Sequence, residues 1–234
     1  MKTQTLSALF MLALTLAQSS ASDLVGWASV EGHGVTTTTG GGDAAPTIVT
    51  TLEELKDAAR DEKPRVIVIS GTIATEAKPV ELRSHKTLRG ADKNATLRGG
   101  IKIGAAHNVI VQNLNIQGAG VGNDPADAIA VRASHHIWMD HLNVWDSRDG
   151  NLDITNGSDY VTVSWCKFWY TDATHDHRLC SLVGSGSTEA ETDAGKNRAT
   201  YHHNWFADLV RERMPRVLFG QSHVFNNLYI CTGN

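Results

Sequence analysis

Five eight-residue runs rich in β-branched and aromatic residues recur along the chain in one register, at 109–116, 137–144, 161–168, 199–206 and 223–230. Their first residues are spaced 28, 24, 38 and 24 apart. A repeat of this length, each unit a strand, a turn and a strand, is the mark of a β-solenoid, because one coil cannot bury its inner face without the coils above and below it. The fifth position of the runs holds Asn113, His141, Trp165, His203 and Asn227. Stacked coils would join these polar and planar groups into a ladder at a tight turn. A β-sandwich would need closely spaced hairpin turns, and these are missing.

Ahead of the repeats, residues 30–46 are rich in Gly and Thr without apolar periodicity, which predicts an extended entry segment. Thr50 or Thr51 can then cap a short amphipathic helix over 52–60, with Glu53 and Glu54 in its first turn and Arg60 in its last. The run Arg65-Val-Ile-Val-Ile-Ser70 is the clearest early strand. The 38-residue step implies an insertion over roughly 171–196, containing His175-Asp-His-Arg178; excursions of this kind usually line the binding face of a solenoid.

At 234 residues, 20% charged and 41% hydrophobic, the chain suffices for one domain with a sizeable core. A net charge of −4 with no long basic block argues against nucleic-acid or membrane-surface partners, so an anionic ligand must be met by local cations. Lys2, an apolar stretch over 6–16 and Ser19-Ser20-Ala21 have the layout of a secretory signal peptide, too short to span a bilayer. The expected organisation is therefore a signal peptide over 1–21 and one secreted, extracellular domain over 22–234. Secretion permits disulfides, and of Cys166, Cys180 and Cys231 the first two are the favoured pair. Asn94-Ala-Thr96 and Asn156-Gly-Ser158 fit the glycosylation sequon, Asn94 being the better candidate.

Asp149 and Asp153, four apart, would share one side of a strict strand, and Asp127 lies about one coil earlier. Together they suit a hard cation such as calcium, which takes carboxylate oxygens in loose geometry. The spacing alone leaves that site and an ordinary solvated turn both open. The pairs His175/His177 and His202/His203 lack the third converging donor that zinc requires. Asp140 and His141, as neighbours on a strand, should face opposite ways, which makes His141 a turn-ladder member and Trp138 a packing residue.

Read in order, Asp127-Ala-Ile, Trp138-Met-Asp-His141, Asp149-Gly-Asn-Leu-Asp153-Ile-Thr, Ser158-Asp-Tyr-Val-Thr-Val-Ser-Trp165, Leu182-Val-Gly-Ser, Tyr201-His-His-Asn204, Arg213-Met-Pro-Arg216 and His223-Val-Phe-Asn-Asn227 resemble the pectate lyases of polysaccharide lyase family 1. The resemblance runs from about Gly26 to the end. It implies an all-β fold, a right-handed parallel β-helix, in a monomer that cleaves polygalacturonate by β-elimination with Ca2+. Carried across position by position, Asp127, Asp149 and Asp153 would hold calcium, Arg213 would be the catalytic base, and Arg178 and Arg216 would grip substrate carboxylates. Arginine is an unusual base, since a free guanidinium loses its proton only above pH ~12; the alternative is that Arg213 steadies the intermediate while hydroxide takes the proton.

Two features depart from the family pattern. Leu218 stands where another arginine is usual, and the chain ends at Asn234 where further coils are expected, as in a truncated product. These keep three other readings in view: a pectin lyase acting on methyl-esterified pectin, a hydrolytic polygalacturonase, which would need paired acid and base carboxylates, and a catalytically impaired pectin-binding chain.

Overall fold

The computed structural model describes residues 24–233. The expected signal peptide lies outside the described residues. From Pro46 onward the chain winds through two parallel sheets. The longer sheet stacks Pro46–Val49, Arg65–Ile69, Lys86–Gly90, His107–Gln117, His135–Trp145, Asp159–Ser164, Ala199–His202 and Ser222–Phe225, with short flanking strands beside them. The shorter sheet stacks Val80–Leu82, Ile101–Gly104, Ile129–Arg132, Leu152–Thr155, Leu182–Val183 and Arg216–Val217. Both are in-register parallel ladders, so each residue of a coil lies over its counterpart in the next. The molecule is the parallel β-helix that the repeats imply.

The period-2 alternation of each strand sends one set of side chains inward, and the coils pile these sets into columns. Ile103, Val131, Ile154 and Val183 form one column, and Val109, Ile137, Val161 and Ala199 another, all fully buried. Phe168, Phe206 and Tyr229 stack with ring centroids 5.7 and 5.0 Å apart. The N-terminal end of the core is closed by the helix Leu52–Ala59, whose Leu55, Ala58 and Ala59 are buried. Thr51 is its N-cap in a capping box with Glu54, which satisfies two of the N–H groups that a helix start leaves unpaired. Residues 24–45 cross the outer face of the longer sheet. Trp27 N–H and Ala28 N–H donate to the hydroxyls of Thr200 and Thr162, and Ala28 packs with Ile110 and Trp138.

The expected ladder forms. Asn113, His141, Trp165 and His203 all adopt left-handed backbone, with φ between 51 and 56°, at the bend of each coil. Trp165 stacks between His141 and His203 at 6.0 and 4.3 Å. In the last coil the expected register is off by one residue. Ala199 pairs with Ser222 rather than His223, so the left-handed residue opposite His203 is Asn226, and Asn227 sits under Asn204. Adjacent asparagines both suit the turn; the choice is made by Asn227 Oδ1, which accepts from the backbone and side-chain nitrogens of Asn204 at 2.9 and 3.0 Å.

Three further expectations are corrected. His141 Nδ1 does meet Asp140 Oδ2, at 2.6 Å, because the left-handed turn at His141 breaks the strand alternation. Cys166, Cys180 and Cys231 are free thiols, the first two buried as apolar core residues. The segment 171–196 is not one excursion, since Leu182–Val183 pairs with Ile154 and with Arg216–Val217 as a rung of the shorter sheet.

Candidate active site

On the outer face of the shorter sheet, Asp153 lies on the strand Leu152–Thr155 with its carboxylate directed out of the coil. Asp149 is not on that strand, contrary to the period-2 expectation; it belongs to the turn that precedes it. That turn is fixed by its own backbone. Tyr170 Oη lies 3.0 Å from Asp149 O and 2.6 Å from Leu179 O, and Ser147 Oγ donates to Asn151 Oδ1 at 2.6 Å. Gly150 completes the fit. A Cβ there would stand 2.2 Å from Asp153 Oδ1, while the Gly150 N–H donates to Asp127 Oδ1 at 3.2 Å. The missing side chain thus lets carboxylates from two coils approach one peptide.

Arg213 reaches the cluster from two coils further on. Its backbone is left-handed, φ 60°, a conformation that costs a non-glycine residue about 1–2 kcal/mol and turns the side chain back over the sheet. Nη1 lies 3.3 Å from Asp149 Oδ1 and 3.2 Å from Asp153 Oδ2. Arg132 Nη2 stands 3.8 Å from Asp127 Oδ2, and His177 Nε2 3.6 Å from Asp149 Oδ1. One guanidinium does not balance the cluster. Burial, then the Asp127 charge, pushes the Asp153 carboxyl up to about 7, despite the Leu182 N–H at 2.9 Å and Arg213. Burial and Asp149 likewise raise Asp127. Buried carboxylates that repel one another and remain undercompensated are the donor chemistry of a hard divalent cation. Among the described residues, however, no three acidic or imidazole side chains already converge at ligand distance.

The expected site residues thus divide. Asp127, Asp149, Asp153 and Arg213 come together. Arg216 is exposed beside them, pairing with Leu182, which is two residues before Gly184 and whose N–H binds Asp153. Arg178 does not present itself to the cleft: it is buried, and its guanidinium donates to the carbonyls of Leu209 at 2.8 Å, His175 at 3.1 Å and Ala173. Those bonds brace the loop, which is the physical reason it departs from the substrate-gripping expectation. His175 is buried against Ser147 O at 3.1 Å, apart from His177. Sequence reading missed Gly150, His177 and Arg132 as parts of the site. The Asp-Gly step was visible, but Arg132 becomes a neighbour only through the register that sets it opposite Thr155.

A parallel β-helix with an arginine bridging a buried acidic cluster on one sheet face defines a narrow class of proteins. The comparisons with known proteins specify it: a family model described as pectate lyase matches residues 1–233. The chain belongs to the pectate lyase family. It is 41% identical over 214 residues to a pectate trisaccharide-lyase of Thermotoga maritima, covering 88% of this chain and 56% of that protein. It is 37% identical to pectate lyase A of Emericella nidulans, covering 87% and 61%. The chain therefore spans somewhat over half the length of these relatives. A solved pectate lyase from Bacillus sp. N165, in complex with trigalacturonate, superposes with a TM-score of 0.71 at 26% identity, over 87% of this chain and 67% of that one. A pectate lyase bound to a hexasaccharide shares the fold with a TM-score of 0.74 at 24% identity, over 87% and 71%.

Proposed function

We propose that the chain carries the catalytic site of a secreted, calcium-dependent pectate lyase that cleaves (1→4)-α-D-galacturonan by β-elimination. One observation carries the reading: Arg213 Nη1 stands within 3.3 Å of two carboxylates in a cluster that one guanidinium leaves undercompensated. Asp127, Asp149 and Asp153 would hold calcium, which when bound supplies a Lewis acid to the uronate carboxylate and so acidifies the C5 proton.

The residues of the chain do the rest. Arg213, as the neutral guanidine, takes the C5 proton and becomes the guanidinium cation, and the electrons of the broken C–H bond form the C4–C5 double bond as the C4–O bond breaks and the leaving oxygen gains a proton. No water is consumed. Arg216 would hold a uronate carboxylate beside the cluster, a charge-assisted contact worth about 1.5–3 kcal/mol. The Leu218 position, where another arginine would add such a contact, is docked on Val183 O at 2.8 Å through its N–H, and its side chain offers no charge. Weaker substrate affinity with turnover retained is the consequence.

The test is an absorbance assay for the unsaturated product on polygalacturonate, with calcium or with chelator, beside the same assay on fully methyl-esterified pectin. Calcium-dependent product from the acid polymer supports the proposal. Activity that survives chelation, or that rises with methylation, transfers the assignment to a pectin lyase. Polymer binding without product would mark an impaired binding chain.

A further inference from the structure

Among the described residues, a buried cation far from the acidic cluster has no carboxylate within ion-pair distance. Arg89, on the strand Lys86–Gly90 of the longer sheet, is 5% exposed, and its Nε–H is sealed from solvent with no hydrogen-bond partner. The other buried cations of the fold are treated differently. Lys86, three residues earlier on that strand, donates to the carbonyls of Asp61, Lys63 and Ser84 at 2.6, 2.7 and 2.9 Å, with the Asp61 carboxylate 3.5 Å away. Arg178 donates to three carbonyls. Burying a charge without a partner costs several kcal/mol, so a guanidinium without a counter-charge, in a fold whose other buried cations are bonded, marks a place where an anion is met through the two Nη groups, Nε being sealed.

Arg89 lines a cavity of about 460 Å³ together with Asp92, Lys93, Asn113, His141 and Asn143. Lys93 offsets Asp92, whose Oδ1 is already occupied by the Asn94 N–H at 2.7 Å. His141 gives Nδ1–H to the buried Asp140 carboxylate at 2.6 Å, which leaves Nε2 as an acceptor suited to a hydroxyl. Asn143 is held in place: its Oδ1 accepts from Trp169 Nε1 at 2.9 Å and its Nδ2 donates to Asn115 Oδ1 at 3.1 Å. The cavity opens at the turn ladder of the longer sheet, whereas the acidic cluster lies on the shorter sheet. With Asp92 and Lys93 balancing each other, Arg89 is the uncompensated cation of the cavity, and together with the hydroxyl acceptor on His141 it matches a small hydroxylated carboxylate.

We propose that this cavity is a second binding site, specific for an oxyanion and best suited to the carboxylate of a single uronate unit held by Arg89. The site is independent of the lyase assignment and needs no calcium. It is tested by calorimetric titration in the presence of chelator with galacturonic acid, inorganic phosphate and galactose. Galacturonic acid should bind with one-to-one stoichiometry and galactose should not. Phosphate binding as tight as galacturonic acid would identify the source as free inorganic oxyanion; weaker phosphate binding would identify the sugar acid.

Arg89→Met should weaken anion binding about tenfold or more and raise the melting temperature of the ligand-free protein, since it removes an unpaired buried charge. Lys93→Ala, an exposed change that leaves the core untouched, should weaken binding severalfold and keeps the test open if the Met variant does not fold. Arg213→Ala should bind the anion as the parent does. Absence of binding by the parent, binding unchanged in Arg89→Met and Lys93→Ala, or binding lost in Arg213→Ala would overturn the proposal.

Discussion

The turn ladder of the longer sheet and the acidic cluster of the shorter one are both built by stacking like residues on successive coils, with opposite outcomes. In the ladder, repetition satisfies. Asn204 takes the Cys166 N–H on Oδ1 and donates from Nδ2 to Val163 O and to Asn227 Oδ1 on the next coil, while His141, Trp165 and His203 lie face to face. In the cluster, repetition frustrates. Asp127 and Asp149 bring like charges to neighbouring coils around Gly150, and Asp153 is raised for want of compensation. The same architecture spends on one face the stability it gathers on the other, and the frustrated face is where the proposed cation and charged sugar would have something to gain.

The largest effect that separates the two faces is catalytic. Arg213→Ala should lower the rate of unsaturated-product formation by about 10²–10⁴, the range for losing a positioned acid or base, with the melting temperature changed little. Because Arg213 Nη1 occupies the same two carboxylates that calcium would need, the variant should also bind calcium more tightly. Titration calorimetry showing weaker calcium binding would mean that Arg213 helps to order the cluster rather than competing for it.

The pH dependence of stability comes next. With its folded pKa pushed up to about 7, Asp153 holds a proton that the unfolded chain releases above about 4. The metal-free protein should therefore lose stability as pH rises from about 4 to about 7, by at most about 4 kcal/mol, and level off above that. Denaturant titrations across this window should show the slope, and Asp153→Asn or added calcium should flatten it. A metal-free protein whose stability rises through the same window would contradict the frustrated-cluster picture. Asn204→Ala strikes the satisfied face instead. It should cost about 2–3 kcal/mol at every pH, because the buried Cys166 N–H and Val163 carbonyl lose their partners, and leave the activity of the folded fraction unchanged.

This contrast also explains what the amino-acid sequence revealed. The ladder was legible because a satisfied column repeats: Asn113, His141, Trp165 and His203 recur at one position of the coil, and the inward Ile and Val columns follow the same period. The one-residue slip at Asn226 and Asn227 came from two residues that fit a turn equally well, a choice made only by the side-chain bond to Asn204. The acidic cluster has no period. Spacing grouped Asp127, Asp149 and Asp153 but left an ordinary solvated turn also open until the resemblance to a family weighed in, and Arg132 and His177 joined them only in three dimensions. Arg178 shows the limit of motif reading: on the inserted segment a cation looks available, yet nearby carbonyls claim it and bury it.

The smallest change tests whether the coils act as one cooperative stack. Thr51 accepts the Glu54 N–H at 3.3 Å, and the Glu54 carboxylate receives the N–H groups of Thr50 and Thr51 at 2.8 and 3.1 Å. Thr51→Ala removes half of this box at a cost of about 1 kcal/mol to the capping helix. Because Leu55, Ala58 and Ala59 seal the first coil, the loss should appear in the unfolding of the whole stack, as a lower denaturant midpoint with an unchanged slope. If the helix instead frays locally, hydrogen exchange would speed up in Leu52–Ala59 alone while the coils around Asp153 and Asn204 keep their protection. That outcome would separate the cap from the solenoid it closes and confine cooperativity to the coils that carry the site.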